Sequence, residues 1–294
     1  MPELPEVETV RRALEGLLVG RVVAAAELLR PEVAEPPDPR AWARLLAGCA
    51  VRRLERRGKH LALRLQGVRG EPVWLLVHLG MTGRLLWVPA GRRWVLPLRH
   101  THAFLRVREP DGSAVGRLGF YDVRRFGRLR AVQGEEGLGR LGPLGVDPLL
   151  DAFDGGVLAR RLRGRRAPIK ALLLDQDLVA GLGNIYADEA LHRAGIHPRA
   201  DPRDLGAAAW DRLARAVVGV LREAVVHGGT TFADYRRPDG RPGGFAPRLR
   251  VYGRAGKPCL ACGAALQAER IAGRTTVFCP RCQPPRAGGP GQGL

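Results

Sequence analysis

Lysine is nearly missing from this 294-residue sequence. The 48 Lys and Arg residues include only Lys59, Lys170 and Lys257. Acidic residues are also scarce, 29 in all, which leaves a formal net charge of +19. No run of 18 apolar residues free of charge occurs, which excludes a membrane-spanning helix. The opening MPELPEVETVRR carries acids where a signal peptide needs bases and an apolar stretch, so the expected location is the cytoplasm. What is present is a hydrophobic content of 45%, enough for a real core and too much for global disorder. The length fits two domains. The positive excess calls for a polyanionic partner, nucleic acid first, with a membrane surface or a ribosome as alternatives. Arginine dominance has a simple origin in the codon usage of a GC-rich genome. Against that background, a retained lysine marks a place where an amine can do what a guanidinium cannot.

Cysteine is rare too, and four of the five sit together in pattern. Cys259, Cys262, Cys279 and Cys282 read C-x2-C, sixteen residues, C-x2-C. That is the four-thiolate zinc spacing, expected to hold one closed structural Zn2+ rather than disulfides in a reducing compartment. Cys49 follows Gly48 in an apolar stretch and reads as a buried core residue.

The pattern along the chain predicts an α+β fold. Residues 5–18 read as a helix, with Pro5 in the first turn and Val7, Val10, Leu14 and Leu17 as an apolar stripe. Glu8 and Arg12 stand four apart on it. Residues 31–40 are Pro-rich and read as a loop. From about 50 to 132 short strands take over, such as 60–66, 73–80, 103–109 and 127–132, with turn signals such as Asp111-Gly112 between them. The strand pattern alone reads as an antiparallel sandwich or barrel, and the expected form is a β-sandwich flanked by helices, occupying 1–133. A linker rich in Gly, Pro and Asp follows at 134–160. Helical patterns return at 168–175, 184–194 and 204–227, within a second domain over 161–248. A four-cysteine finger is expected over 249–283, its hairpin within 257–283, and a flexible tail over 284–294.

The chemistry-bearing residues begin at the N-terminus. Pro2 is small enough for Met1 to be trimmed, which would leave a free secondary amine. An α-amino group titrates near about 7.7–8.0, far below the about 10.4 of a lysine side chain. Such an amine can attack a sugar aldehyde carbon and form an iminium. Glu3 beside it can serve as general acid or base.

Several blocks occur together and in order: PELPEVETVRR at 2–12, HLGMTGRL at 78–85, DVRRFG at 122–127, GLGNIYADEAL at 181–191, and the terminal finger. In combination they resemble bacterial formamidopyrimidine-DNA glycosylases, base-excision repair enzymes for oxidised purines. The resemblance spans about residues 2–283. It implies a β-sandwich catalytic domain, a helix–two-turn–helix domain and a zinc-finger hairpin. It also implies a protein that binds double-stranded DNA containing oxidised bases or abasic sites; a monomer is expected.

By that resemblance Pro2 is the nucleophile on C1′, Glu3 the general acid and proton shuttle, and Glu6, one turn on, a supporting residue. Lys59 assists β-elimination, because an ammonium exchanges a proton near phosphate more readily than a guanidinium does. Met81, Arg124 and Phe126 fill the hole left by a flipped base. Val123 departs from the usual proline at that place. Lys170, His100 and Arg165 are expected DNA contacts. Asn184 opens a helix whose N–H groups can hold a phosphate. Arg274, after a turn at Ala272-Gly273, is expected to grip flanking phosphates and to help the second elimination. The Gly-rich stretch 238–245 would be the loop over the extruded base, or else a plain connector. His100 and His102 could share a strand face, with metal binding as a lesser alternative.

Two other functions remain in view. An oxidised-pyrimidine glycosylase of the endonuclease VIII type shares Pro2 and Glu3 but begins PEGPE and lacks the Met-Arg-Phe set, so Leu4, Met81, Arg124 and Phe126 favour the purine enzyme. A non-catalytic lesion-binding protein would share the charge and the finger, but Pro2, Glu3 and Lys59 argue against it.

Overall fold

The computed structural model describes residues 1–285. They divide into two compact units, Met1–Gly142 with Val225–Ala246, and Pro143–Ala224 with the residues from Pro247 onward. Residues 286–294 of the expected tail lie outside the described residues.

The first unit holds helices α1 (Leu4–Leu18) and α2 (Pro39–Leu46). Its strands are β1 (Val22–Leu28), β2 (Ala34–Glu35), β3 (Ala50–Arg57), β4 (His60–Gln66), β5 (Pro72–His78), β6 (Arg84–Pro89), β7 (Thr101–Arg108), β8 (Ala114–Tyr121) and β9 (Arg128–Gln133). They form one nine-stranded sheet in the order β2-β9-β5-β4-β3-β1-β7-β8-β6. Every ladder is antiparallel except that of β2 with β9. Between β1 and β3 the ladder has a single pair, Val22 with Ala50. Residues from both sides of that seam share one core: Leu63, Leu75, Val77 and Leu129 with Leu85, Leu105, Leu118 and Phe120. The expected sandwich is therefore one continuous sheet folded on itself.

Helix α1 packs over β3 and β4. Val7, Val10, Leu14 and Leu18 are each at most 1% exposed in that core. Burial of each stabilises the unit by about 1.5–3 kcal/mol. Leu18 therefore holds the place on the stripe that periodicity assigned to Leu17, which is only partly buried. The expected loop at 31–40 is shorter than predicted. Pro39 serves as the first helical residue of α2, its missing N–H costing nothing there, and Asp38 caps it through the Arg40 amide at 2.8 Å. The helix delivers Trp42, fully buried, to the core.

The second unit is helical, with α3 (Gly155–Leu162), α4 (Ile169–Leu174), α5 (Asn184–Ala194) and α6 (Ala207–Val226), whose last two residues fall in the first unit. A hairpin of β10 (Gln267–Ile271) and β11 (Arg274–Phe278) completes it. Helix α3 lies where only a linker was expected, its start set by Asp154 accepting the Val157 amide at 2.7 Å. Gly155 there sits against Asp211, and a Cβ would approach its Oδ1 to 2.1 Å. Part of the Gly-rich composition that reads as linker, at Gly137, Gly145 and Gly155, therefore reflects close packing.

Candidate functional site

Glu3 is the N-cap of α1, and Glu3 and Glu6 form a reciprocal capping box. The Glu3 amide donates to Glu6 Oε2 at 2.8 Å, and both residues are almost wholly buried, as is Pro2. The other Glu6 oxygen accepts the Thr230 amide at 2.7 Å, and the Tyr235 hydroxyl donates to the Glu6 carbonyl at 3.3 Å. Burial, with the Glu6 carboxylate nearby, pushes the Tyr235 hydroxyl far up, so it stays a donor. Gly229 has φ of 82°, and a Cβ there would meet Glu6 Oε1 at 2.8 Å. One carboxylate thus ties the first residues of the chain to the 229–235 segment.

A second chain of contacts starts two residues further along α1. Glu8 takes Arg12 at 2.7 Å, Arg11 at 3.1 Å and Arg56 at 3.3 Å. Burial alone would raise its carboxyl, but the hydrogen bonds from Arg11 and Arg12 outweigh it and hold the carboxyl low. Arg56 also donates to the Gly58 carbonyl at 3.1 Å, in the β3–β4 turn that carries the buried Lys59. His60 and His78 pair across β4 and β5 with ring centroids 4.8 Å apart. Burial pushes His60 down to about 4 and lowers His78 as well, so both rings are neutral at pH 7.

Met81, Arg124 and Phe126 come together on two abutting loops. Gly80 lies so close that a Cβ would meet the Phe126 carbonyl carbon at 2.5 Å. Asp122, fully buried, holds the pair. It accepts from the Thr82 hydroxyl, from the Arg124 amide at 3.2 Å and from the Gly127 amide at 2.8 Å. The Arg124 guanidinium lies 4.8 Å from the Phe126 ring centroid, and Phe126 is half exposed. With Asp122 fixing both ends of the loop, its shape has support that does not depend on a proline at Val123. His102 is buried and its Nε2 lies 2.7 Å from the Asp122 carbonyl. His100 ends a short 3-10 turn before β7, so the two imidazoles do not share a strand face.

In the second unit Arg165 is exposed after α3. Asn184 opens α5, whose N-cap Gly183 makes no side-chain cap, and its Nδ2 donates to the Thr275 carbonyl at 2.9 Å. Gln176 holds the preceding turn by donating to the Leu174 and Leu182 carbonyls and accepting the Gly181 amide, each at 2.9 Å. Arg274 is exposed at the start of β11, after Ala272 and Gly273 at φ of 49° and 72°.

Lys170 is not placed as the sequence led us to expect. It is fully buried, with Nζ 2.6 Å from Asp188 Oδ1, 2.7 Å from Thr276 Oγ1 and 3.3 Å from the Thr275 carbonyl. Asp188 Oδ2 in turn accepts the Val277 amide at 3.0 Å. Burial pushes Asp188 up to about 6 even beside the ammonium. Three acceptors around one nitrogen suit a tetrahedral ammonium and not a planar guanidinium. In this structure Lys170 pins β11 to α5 instead of facing a phosphate. Glu189, next to Asp188 in the chain, accepts the amides of Arg250, Val251 and Tyr252, each at 2.9–3.0 Å.

The residues missed by sequence reasoning are these supports: Arg56, Asp122, Asp188 and Glu189. Three of them lie inside the motif blocks, where a carboxylate set among arginines or glycines was the available signal.

The four cysteine sulfurs lie within 4.8 Å of one another. Cys262 and Cys279 are 3.4 Å apart, Cys259 and Cys282 3.9 Å. Tetrahedral Zn–S bonds of about 2.3 Å put sulfurs roughly 3.8 Å apart, whereas a disulfide needs about 2.05 Å. The donor set fits one structural zinc. His192 Nε2 lies 3.5 Å from Cys259 Sγ and supports that ligand from behind. Cys49, by contrast, is buried alone, and burial pushes its thiol up to about 11.

No helix among the described residues is long and apolar enough to cross a membrane. Three family models match in succession: the formamidopyrimidine-DNA glycosylase N-terminal domain at 1–129, the formamidopyrimidine-DNA glycosylase H2TH domain at 144–235, and the zinc finger found in FPG and IleRS at 256–285. The formamidopyrimidine-DNA glycosylase of Alkalilimnicola ehrlichii is 46% identical over 292 residues, covering 96% of this chain and 100% of that one. The crystal structure of the MutM (Fpg) protein from Thermus thermophilus aligns with TM-score 0.80 at 43% identity, over 96% of this chain and 98% of that one. A Lactococcus lactis FPG variant, solved with DNA containing Fapy-dG, aligns with TM-score 0.85 at 33% identity, over 97% and 100%. The chain belongs to the formamidopyrimidine-DNA glycosylase family.

Proposed function

We propose that this protein is a bifunctional DNA glycosylase and AP lyase that removes oxidised purines, 8-oxoguanine and formamidopyrimidines, from double-stranded DNA. The observation that carries the reading is the buried N-terminal array, in which Pro2 and Glu3 are held at the head of α1 by Glu6. Once Met1 is removed, the Pro2 nitrogen attacks C1′ of the flipped nucleotide. The C1′–N bond breaks, and the base leaves with its electron pair and a proton that Glu3 shuttles. Glu3 then donates a proton to O4′ as the C1′–O4′ bond opens, and the iminium so formed on Pro2 acidifies the C2′ proton. Its removal, with Lys59 beside the phosphate, expels the 3′ oxygen. A second elimination, with Arg274 on the flanking phosphates, releases the 5′ side, and water hydrolyses the iminium.

Met81, Arg124 and Phe126 fill the vacated stack, with Arg124 facing the orphaned cytosine. His100, Arg165 and Asn184 hold the backbone, and residues 238–245 cover the extruded base. Lys170 serves this interface by positioning β11. The four cysteines hold the finger with one zinc. Residues 1–142 with 225–246 carry the amine chemistry, and 143–224 with 247–283 bind DNA. The protein works as a monomer in the bacterial cytoplasm, on the nucleoid.

Borohydride trapping on a duplex with 8-oxoguanine opposite cytosine tests the reading. A covalent adduct is expected, weakened in Pro2→Gly, whose primary amine can still form an imine, and weakened in Glu3→Gln. An adduct only on an oxidised-pyrimidine duplex would reassign the substrate. No adduct on either, with a free N-terminal proline and intact binding, would leave a lesion-binding protein.

A further inference from the structure

Helix α6 carries an outward face that neither the core nor the proposed chemistry accounts for. Arg193 on α5 and Arg212, Arg215, Ala216 and Gly219 on α6 line a surface cavity of about 310 Å³. The only carboxylate bonded to this set among the described residues is Glu223, 2.8 Å from Arg193 Nη1. Arg212 spends two of its nitrogens on the Ala194 and Ala208 carbonyls, at 3.4 and 3.3 Å. Those bonds fix its guanidinium without neutralising it. The Arg215 side chain makes no hydrogen bond or ion pair among the described residues. The Nε–H of Arg193 is shut off from solvent and has no partner there either. Three guanidiniums around one hollow repel each other and leave donors unspent, an arrangement that an oxyanion would satisfy.

Gly219 is the independent observation. It sits in the interior of a 20-residue helix, where glycine is the least favoured residue after proline. No protein atom requires it, because a Cβ built there meets nothing within 4 Å. Its φ is not in the left-handed region either. What the missing side chain does is open the floor of the arginine-lined cavity and let a ligand approach the helix backbone.

We propose that Arg193, Arg212 and Arg215, over the floor opened by Gly219, form a phosphate-binding site separate from the one at the start of α5. Arg193 lies nine residues past Asn184, about 14 Å along the helix at 1.5 Å per residue. The ligand chemistry is a phosphate group, carried either by a further stretch of DNA backbone or by a small soluble phosphate compound.

The test is arginine modification by phenylglyoxal on the full zinc-loaded chain, mapped residue by residue by mass spectrometry at constant ionic strength. Inorganic phosphate should slow modification of Arg212 and Arg215, relative to the exposed Arg92, by roughly five-fold at about four times its Kd. Gly219→Leu should abolish that protection while leaving Tm unchanged or raised, since leucine favours the helix. Should Gly219→Leu fail to fold, Arg212→Gln carries the same test on Arg215. An undamaged duplex giving the same Gly219-dependent protection identifies DNA backbone as the source, and protection by phosphate alone identifies a small soluble ligand. Equal modification with and without both, or protection that survives Gly219→Leu, overturns the proposal.

Discussion

Replacing Lys170 by methionine isolates the buried pair at the root of the hairpin. The change keeps the apolar stem and removes the ammonium, which leaves Asp188 facing a site with no counter-charge. Both side chains are 0% exposed and their charged atoms are 2.6 Å apart. Removing one partner of such a pair costs about 3–5 kcal/mol. For a unit of this size that lowers Tm by roughly 10 °C or more. Lys170→Arg should not rescue, because a planar fork cannot meet Asp188, Thr276 and the Thr275 carbonyl together. Lys170→Met with Asp188→Asn should recover most of the loss, because no charge remains buried and the Val277 amide keeps its acceptor. The pH dependence has a fixed sign. Without the ammonium the folded-state pKa of Asp188 rises further above its unfolded value. The stability linked to that proton is then present at low pH and is lost as pH rises. The penalty of Lys170→Met should therefore be smaller at pH 5 than at pH 8, changing by up to about 1.4 kcal/mol per pH unit. Denaturant melts of the three variants across that range, with hydrogen exchange at the Val277 amide, provide the measurement. A loss below about 1 kcal/mol, or a double variant as unstable as the single one, would refute the reasoning.

Other outcomes follow from the same kind of reading. Asp122→Ala strips acceptors from Thr82, Arg124 and Gly127, so it should cost about 2–4 kcal/mol and expose 123–127 to proteases, as limited digestion would show. Phe126→Ala, at a half-exposed site, should change stability by less than about 0.5 kcal/mol yet weaken binding to a lesion duplex by about 1–3 kcal/mol, read by titration against a melt. Glu8 has a lowered carboxyl, so its contribution is present above the ordinary carboxylate range and is lost as pH falls through its own pKa. Glu8→Gln should flatten the acid limb of a stability profile. Chelation should remove one zinc per chain and unfold the hairpin, leaving the melt of the first unit in place.

Much of this architecture is legible in the amino-acid sequence. Strong periodicity marks α1 and β4, which each set a face into a core, whereas α5, buried on all sides, is marked by its motif block. Cysteine spacing marks the metal centre, since ligand geometry leaves few alternatives. Composition misleads where one residue type serves two ends. Pro39 and Gly155 read as loop and linker, yet one is a first helical residue and the other a point of close contact with Asp211. The site residues are readable by motif, but their supports are not. Asp122 and Asp188 act through contacts forty and eighty-nine residues away in sequence, to Thr82 and Val277. Nothing local in the chain announces such partners. Lys170 is misread for the same reason. A lysine kept among arginines marks an important nitrogen, and only the fold shows that its partners are inside.

The scarcity of lysine also makes the protein an unusual substrate for amine chemistry. Of the three side-chain amines, Lys59 and Lys170 are buried and only Lys257 is exposed. Acylating or reductively alkylating reagents, which on most proteins scatter over dozens of positions, have here one accessible side chain and the chain's own first nitrogen. With Lys257 changed to arginine, a covalent reporter could be directed to that terminal nitrogen almost alone, without engineering a cysteine beside the zinc thiolates.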